Sequence, residues 1–269
     1  MRSGSAARAA AALLLSAAFV SCAPHVVAPP RLEPASIAGR YRLARDARAA
    51  LAAVVDAEAS AWLSGDSLGD LPGVHARLAL GAPDALRVRI ESLFGVALDF
   101  AAWGDSLACY LPPRRVGVRF DAATAMAGVR APGPLGVRVL AATWQPPEAA
   151  WARARFEDSI LVVRWEENDD SLALGVGSDG LPDWISLHDP QGAAADARYI
   201  QWQGLERTSW PAHMEFEDRA AGMKLALRIT RVERNRSPAP DRLVVRIPPG
   251  AARLEWQEIR QALLRARGS

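Results

Sequence analysis

The sequence predicts a mainly β protein: one long antiparallel meander with helical chain at its start and in its middle. Three observations carry this. Beyond Gly65 the dominant apolar period is two, the mark of strands buried on one face. The breaks between alternating runs are short and rich in Gly, Asp and Asn, as hairpins require. Half of the residues are apolar and 23% are charged, the profile of a chain that buries a core, and one large domain suffices.

Taken in order, the elements begin at Leu43. From there to Leu63 the chain has no Gly or Pro, and Leu51, Val54, Val55, Ala59 and Trp62 recur at helical spacing, which predicts one amphipathic helix ended by Gly65. Leu86, Val88 and Ile90 then alternate with Arg87, Arg89 and Glu91, and Val96, Leu98 and Phe100 with Ala97, Asp99 and Ala101. Leu107, Cys109 and Leu111 continue the pattern. Ser92 to Gly95 and Trp103-Gly104-Asp105 are the hairpin breaks. A proline-rich stretch from Phe120 to about Ala152 interrupts the sheet, with a short helix at Asp121 to Gly128 followed by irregular or helical chain. Strand signals resume at Ile160–Glu166, Ser171–Val176, Leu181–His188, Arg198–Gln203, His213–Glu217 and Met223–Val232. A further run, Arg242–Ile247, precedes Pro248-Pro249-Gly250, and Leu254 to Arg265 predicts a closing helix. Any all-β barrel or sandwich shares such alternation; the helical chain at the start and middle is what narrows the choice.

The N-terminus carries an export signal. Arg2 and Arg8 precede an apolar run from Ala9 to Val20, and small residues flank a cysteine in Phe19-Val20-Ser21-Cys22. That run has 12 residues, against the ~20 needed to span a bilayer as a helix. Phe19 to Cys22 resembles the bacterial lipobox, which implies cleavage before Cys22, acylation of Cys22 and a membrane anchor; ordinary secretion with cleavage nearby is the alternative. The expected organisation is a signal peptide at 1–21, lipidated Cys22 with a proline-rich tether to residue 42, and one domain from 43 to 269.

Removing residues 1–21 takes away two arginines and no acids, leaving 30 basic and 30 acidic residues. This neutral chain has no basic surplus for a phosphate backbone, so nucleic acid is not an expected partner. With Cys22 acylated, Cys109 is the remaining thiol, and its alternating context reads as a small buried apolar residue.

Catalytic and metal patterns are weak. Ser186 and His188 share a strand face while Asp189 points away, with no nucleophile elbow. Gly175 to Gly180 joins two strands and lacks the helix of a phosphate loop. His25, His75, His188 and His213 stand singly, without zinc-ligand spacing. Glu166 to Asp170 reads as a solvated hairpin tip before it reads as a calcium site. Trp151, Trp165, Trp184, Trp202 and Trp210 suit either a core or the rim of an apolar mouth. No catalytic residue, metal or cofactor is expected.

Asp84 to Gly95, then Trp103-Gly104-Asp105-Ser106-Leu107-Ala108-Cys109-Tyr110-Leu111-Pro112, resemble the strand pair and hairpin of the LolA/LolB-like lipoprotein-carrier superfamily. Asp179-Gly180-Leu181-Pro182, Trp210 to Met214 and Ile247-Pro248-Pro249-Gly250-Ala251 continue the likeness in the same order, over roughly residues 45–252. It is nearest to a branch of uncharacterised lipoproteins. The resemblance implies a strongly curved, unclosed antiparallel β-barrel of about 10–11 strands whose concave side is capped by helices. It also implies a non-catalytic role, binding acyl chains such as palmitate on lipoproteins or lipids. The lipobox-like segment adds a lipid anchor facing the periplasm, and Ala23 after Cys22, where enterobacterial inner-membrane lipoproteins carry an aspartate, implies by analogy the outer rather than the inner membrane. At ~0.8 kcal/mol per CH₂, burying one such chain is worth on the order of 13 kcal/mol at most, so a dry trough suffices. The expected lining is Val88, Ile90, Val96, Leu98, Phe100, Leu107, Leu225 and Leu227; the same alternation serves a solid core equally well. In that case the sheet would be a docking platform for an envelope protein partner. LolB-type receptors also display a loop with an exposed leucine, which the sequence does not locate.

Overall fold

The structure is a computed structural model describing residues 33–52, 55–65, 73–93, 95–121, 132–190, 192, 194–205, 207–219, 222–234 and 240–253. The signal segment, Cys22, the first half of the tether, nearly all of the Asp121–Gly128 helix and the Leu254–Arg265 helix lie outside the described residues.

Among those residues, 14 strands form one sheet. In chain order they are β1 (Val55–Gly65), β2 (Val74–Gly81), β3 (Ala85–Ser92), β4 (Gly95–Trp103), β5 (Ser106–Leu111), β6 (Val116–Asp121), β7 (Arg155–Glu157), β8 (Ile160–Glu167), β9 (Asp170–Val176), β10 (Pro182–His188), β11 (Ala194–Leu205), β12 (Thr208–Asp218), β13 (Met223–Arg234) and β14 (Ala252–Arg253). Their spatial order is β14-β6-β5-β4-β3-β2-β1-β13-β12-β11-β10-β9-β8-β7. Neighbours are antiparallel except β14, which runs parallel to β6. Three helices accompany the sheet: α1 (Pro34–Ala52), α2 (Pro132–Ala141) and α3 (Glu148–Trp151).

Alternation decides which side of each strand faces the helices. Leu161, Val163 and Trp165 of β8 stand opposite Val176, Leu174 and Leu172 of β9, all buried. The tip between them, Asn168-Asp169, has φ of 53° and 67°, the left-handed pair that a two-residue hairpin turn needs.

The sheet is curved and does not close. β5 and β8 are ten strand steps apart in the sheet order, about 48 Å if flat at ~4.8 Å per step. Yet α2, ten residues and about 15 Å long, touches β3, β4, β5 and β12 and reaches Glu167 at the end of β8 through Arg138 at 2.6 Å. Only a sheet curled around the helix permits that. Gly133 sets how closely α2 sits: its N–H donates to Gly104 O at 3.1 Å, and a Cβ there would lie 1.9 Å from Asp84 O.

The outer side is polar and partly covered. Arg87 donates through Nε and Nη2 to Asp99 at 2.8 and 2.6 Å. Beyond β13 the chain returns across this side as a 3₁₀ turn, Pro240–Leu243, followed by an extended segment. Val245 buries itself on Ala101 and Ala108, with Trp103, Tyr110 and Ile247 around it.

Several elements differ from expectation. The single helix expected over 43–63 is instead α1, which starts at Pro34 inside the expected tether, and β1. Proline suits a first helical turn, where its missing N–H costs nothing. In β1, Val55, Ala57, Ala59 and Ala61 alternate and are buried; alanine fits both periods, so the helical reading ran on into a strand. β2, β6, β7 and β14 were not anticipated, so the sheet has 14 strands against the 10–11 expected, and the Arg242–Ile247 run packs through Val245 without joining the ladder there. No helix among the described residues is long and apolar enough to cross a membrane.

Candidate functional site

The helix-facing side of the sheet is where the expected lining residues lie. Across β3 and β4, Leu86 pairs with Ala102, Val88 with Phe100 and Ile90 with Leu98. Ala102 in turn stands opposite Leu107, and Phe100 opposite Cys109. Val88, Ile90, Leu98, Phe100 and Leu107 therefore share one strip, with Val96 beyond the shift in register after Ile90. All six are half-buried. Leu225 and Leu227 lie three strands away on β13, opposite Phe216 and Met214; Leu227 is buried and Leu225 half-buried. The strip ends at the β3–β4 hairpin, where Leu93 is 99% exposed. A lone leucine in Ser92-Leu93-Phe94-Gly95 carries no sign of that exposure in the sequence.

Among the described residues, a small cavity lies beneath α2. Of about 10 Å³ and lined by Val55, Leu78, Leu80, Leu140, Trp210 and Met214 among others, it has room for one water. None of the eight expected lining residues borders it, although Leu78 neighbours Val88 and Met214 neighbours Leu227. Its bulkiest wall, Trp210, is 2% exposed.

A polar network at the flank of this space fastens α1 and α2 to the sheet. Tyr41 donates to Trp144 O at 2.7 Å; Trp144 Nε1 donates to Tyr199 Oη at 3.1 Å; Tyr199 donates to Val139 O at 2.9 Å. Burial pushes both phenols well above the usual tyrosine range, so both remain donors. Arg48 of α1, fully buried, donates through Nη2 to Ala142 O at 3.1 Å and lies over the Trp202 ring, 5.1 Å from its centroid. Burial lowers the Arg48 pKa.

The remaining motifs play structural parts. Ser186 Oγ and His188 Nε2 are 3.1 Å apart on the outer side of β10, with His188 exposed. Asp179 accepts from Leu181 N at 2.9 Å in the turn before β10, and Gly180 there has φ of 84°. Trp151, Trp165 and Trp210 are core residues, whereas Trp184 and Trp202 are half-buried. Cys109 is half-buried, and burial first, then Asp99, pushes its thiol up to about 11. Among the described residues no three His, Cys, Asp or Glu side chains converge as metal ligands.

No protein-family model matches the chain, and no curated protein matches it. Solved structures do. A LolA superfamily protein from Nitrosomonas europaea superposes with TM-score 0.55 at 14% identity, over 80% of this chain and 98% of its own. This chain has a LolA-like fold. A domain from Vibrio parahaemolyticus described as an outer membrane lipoprotein-sorting protein aligns with TM-score 0.51 at 13% identity, over 76% of this chain and 94% of its own. A DUF1329 family protein from Desulfovibrio piger gives TM-score 0.52 at 12% identity, over 79% of this chain and all of its own. At such identities the LolA-like likeness is one of fold.

Proposed function

We propose that the protein is a lipid-anchored envelope lipoprotein, held through Cys22 at the periplasmic side of the outer membrane, that binds acyl chains of lipoproteins or lipids without catalysis. The observation that carries the reading is the half-buried apolar strip of β3–β5, which runs to the exposed Leu93. Apolar side chains left partly open on the inner side of a curved sheet gain from contact with hydrocarbon. An exposed leucine at the end of that strip is placed to meet a lipid surface. The LolA-like fold supports the same reading, and the sequence at Phe19–Cys22 supports the anchor.

The test uses the mature chain with Cys22→Ser, so that it carries no lipid of its own. Saturable binding of a fluorescent long-chain fatty acid, together with co-purifying lipid in mass spectrometry, is the expected result. The small size of the cavity beneath α2 favours a second reading, a docking platform for an envelope protein. Failure to bind any lipid, coupled with recovery of one stable partner after cross-linking, would establish that reading instead.

A further inference from the structure

Among the described residues, Arg48 is a cation in the interior with no acid beside it. Its side chain is fully buried, and Nε and Nη1 have no hydrogen-bond partner. The charged or ionisable groups that bear on it are Tyr41, Tyr199 and Arg45; none is a carboxylate. The outer side shows the contrast. A groove of about 360 Å³ there is also rich in arginine, but Arg87 is matched by Asp99, Arg231 by Glu233 and Arg242 by Asp56. Those cations have their anions already. A buried guanidinium with unsatisfied donors is costly unless an anion meets it.

The surroundings of Arg48 are arranged around its remaining donors. Nη2 is held by Ala142 O, and the Trp202 ring covers one face of the guanidinium plane. Nε and Nη1 are buried without a partner, and guanidinium N–H groups match the oxygens of carboxylates and phosphates. Ala142 lies two residues beyond Leu140, which borders the apolar cavity beside Trp210 and Met214. The hydrogen bond to Ala142 O thus ties the guanidinium to the chain just past α2, whose Leu140 borders that cavity.

We propose that Arg48 seats an anionic head on the bound acyl chain, making the ligand class a long-chain carboxylate or phosphate ester and not a neutral glyceride. This rests on the acyl-binding reading above and deepens it. The cavity is small as it stands, so a tail seated there widens the space under α2.

The test is displacement of a fluorescent fatty acid from the same mature chain by palmitate, hexadecyl phosphate and methyl palmitate. At least one anionic competitor is expected to bind about tenfold or more tightly than the neutral ester, and the stronger anion identifies carboxylate or phosphate as the head. In Arg48→Met that preference is expected to vanish while methyl palmitate binds as before; Arg48→Lys is expected to keep part of it. Equal affinity of all three competitors for the unmutated chain overturns the proposal and leaves acyl binding standing. A preference that survives in Arg48→Met overturns it equally. Should none of the three bind, the acyl-binding reading falls and the proposal with it. The unmutated chain decides the first comparison even if Arg48→Met does not fold.

Discussion

Replacing Tyr199 by Phe isolates the hydroxyl that ties the helices to the sheet. Tyr199 is 3% exposed, and Phe retains the ring and its packing on Trp202, 5.6 Å between centroids. Two partners lose out. Trp144 Nε1, on a side chain 2% exposed, becomes a buried donor without an acceptor, at a cost of about 1–3 kcal/mol. Val139 O keeps only a long contact from Ala142 N, 3.4 Å, which adds a loss of about 0.5–1 kcal/mol. The expected destabilisation is therefore about 1.5–4 kcal/mol, or a fall in Tm of roughly 3–16 °C for a chain of this size. Urea unfolding of the Tyr199→Phe and parent chains measures it, with equal slopes showing that the midpoint shift is stability. Adding Trp144→Phe removes the orphaned donor, so the double variant is expected to cost less than the sum of the singles by about 1 kcal/mol. A loss below about 0.5 kcal/mol in Tyr199→Phe, with no coupling to Trp144, would refute the network as the fastening.

Gly133→Ala is expected to destabilise by more than about 2 kcal/mol in thermal unfolding, because a Cβ meets backbone atoms of Asp84 and Gly104 that cannot step aside; unchanged Tm would show that α2 is not seated on those turns. Val88→Asp, which puts a charge on the apolar strip, is expected to weaken fatty-acid binding about tenfold or more while shifting stability by only ~1 kcal/mol, since the site is half-open; fluorescence titration and a melt separate the two effects. Leu93→Ser is expected to reduce sedimentation with lipid vesicles at unchanged Tm, as an exposed tip contributes little to folding. Cys109, whose thiol is pushed up to about 11, stays protonated in the fold through the pH range where an unfolded thiol, near pKa ~8.5, ionises. Its contribution to stability is therefore full below about pH 8.5 and lost as pH rises toward 11; in the Cys22→Ser chain, iodoacetamide at pH 8 should label Cys109 far faster in urea than in buffer, and equal rates would contradict the burial.

The strands and hairpins were legible because their signals are local. Leu86 to Phe100 alternates whatever surrounds it, and Asn168-Asp169 turns tightly between two apolar runs on its own chemistry. Alanine weakened that legibility: in β1 it fits a helix period and a strand period alike, and only pairing with β2 and β13 selected the strand. Arg242–Ile247 has the alternation of a strand, yet its place over Ala101 and Ala108 makes it a covering segment.

Sequence order and side-chain period thus determined an antiparallel meander with one apolar face, because both act between residues close along the chain. Curvature, the placement of α2 and the burial of each half of that face were decided in three dimensions, by α2 touching strands up to ten steps apart in the sheet. The same holds for Arg48. Its charge is written in the sequence, but its burial under the Trp202 ring, without a carboxylate among the described residues to pair it, exists only where α1, Ala142 and Trp202 meet.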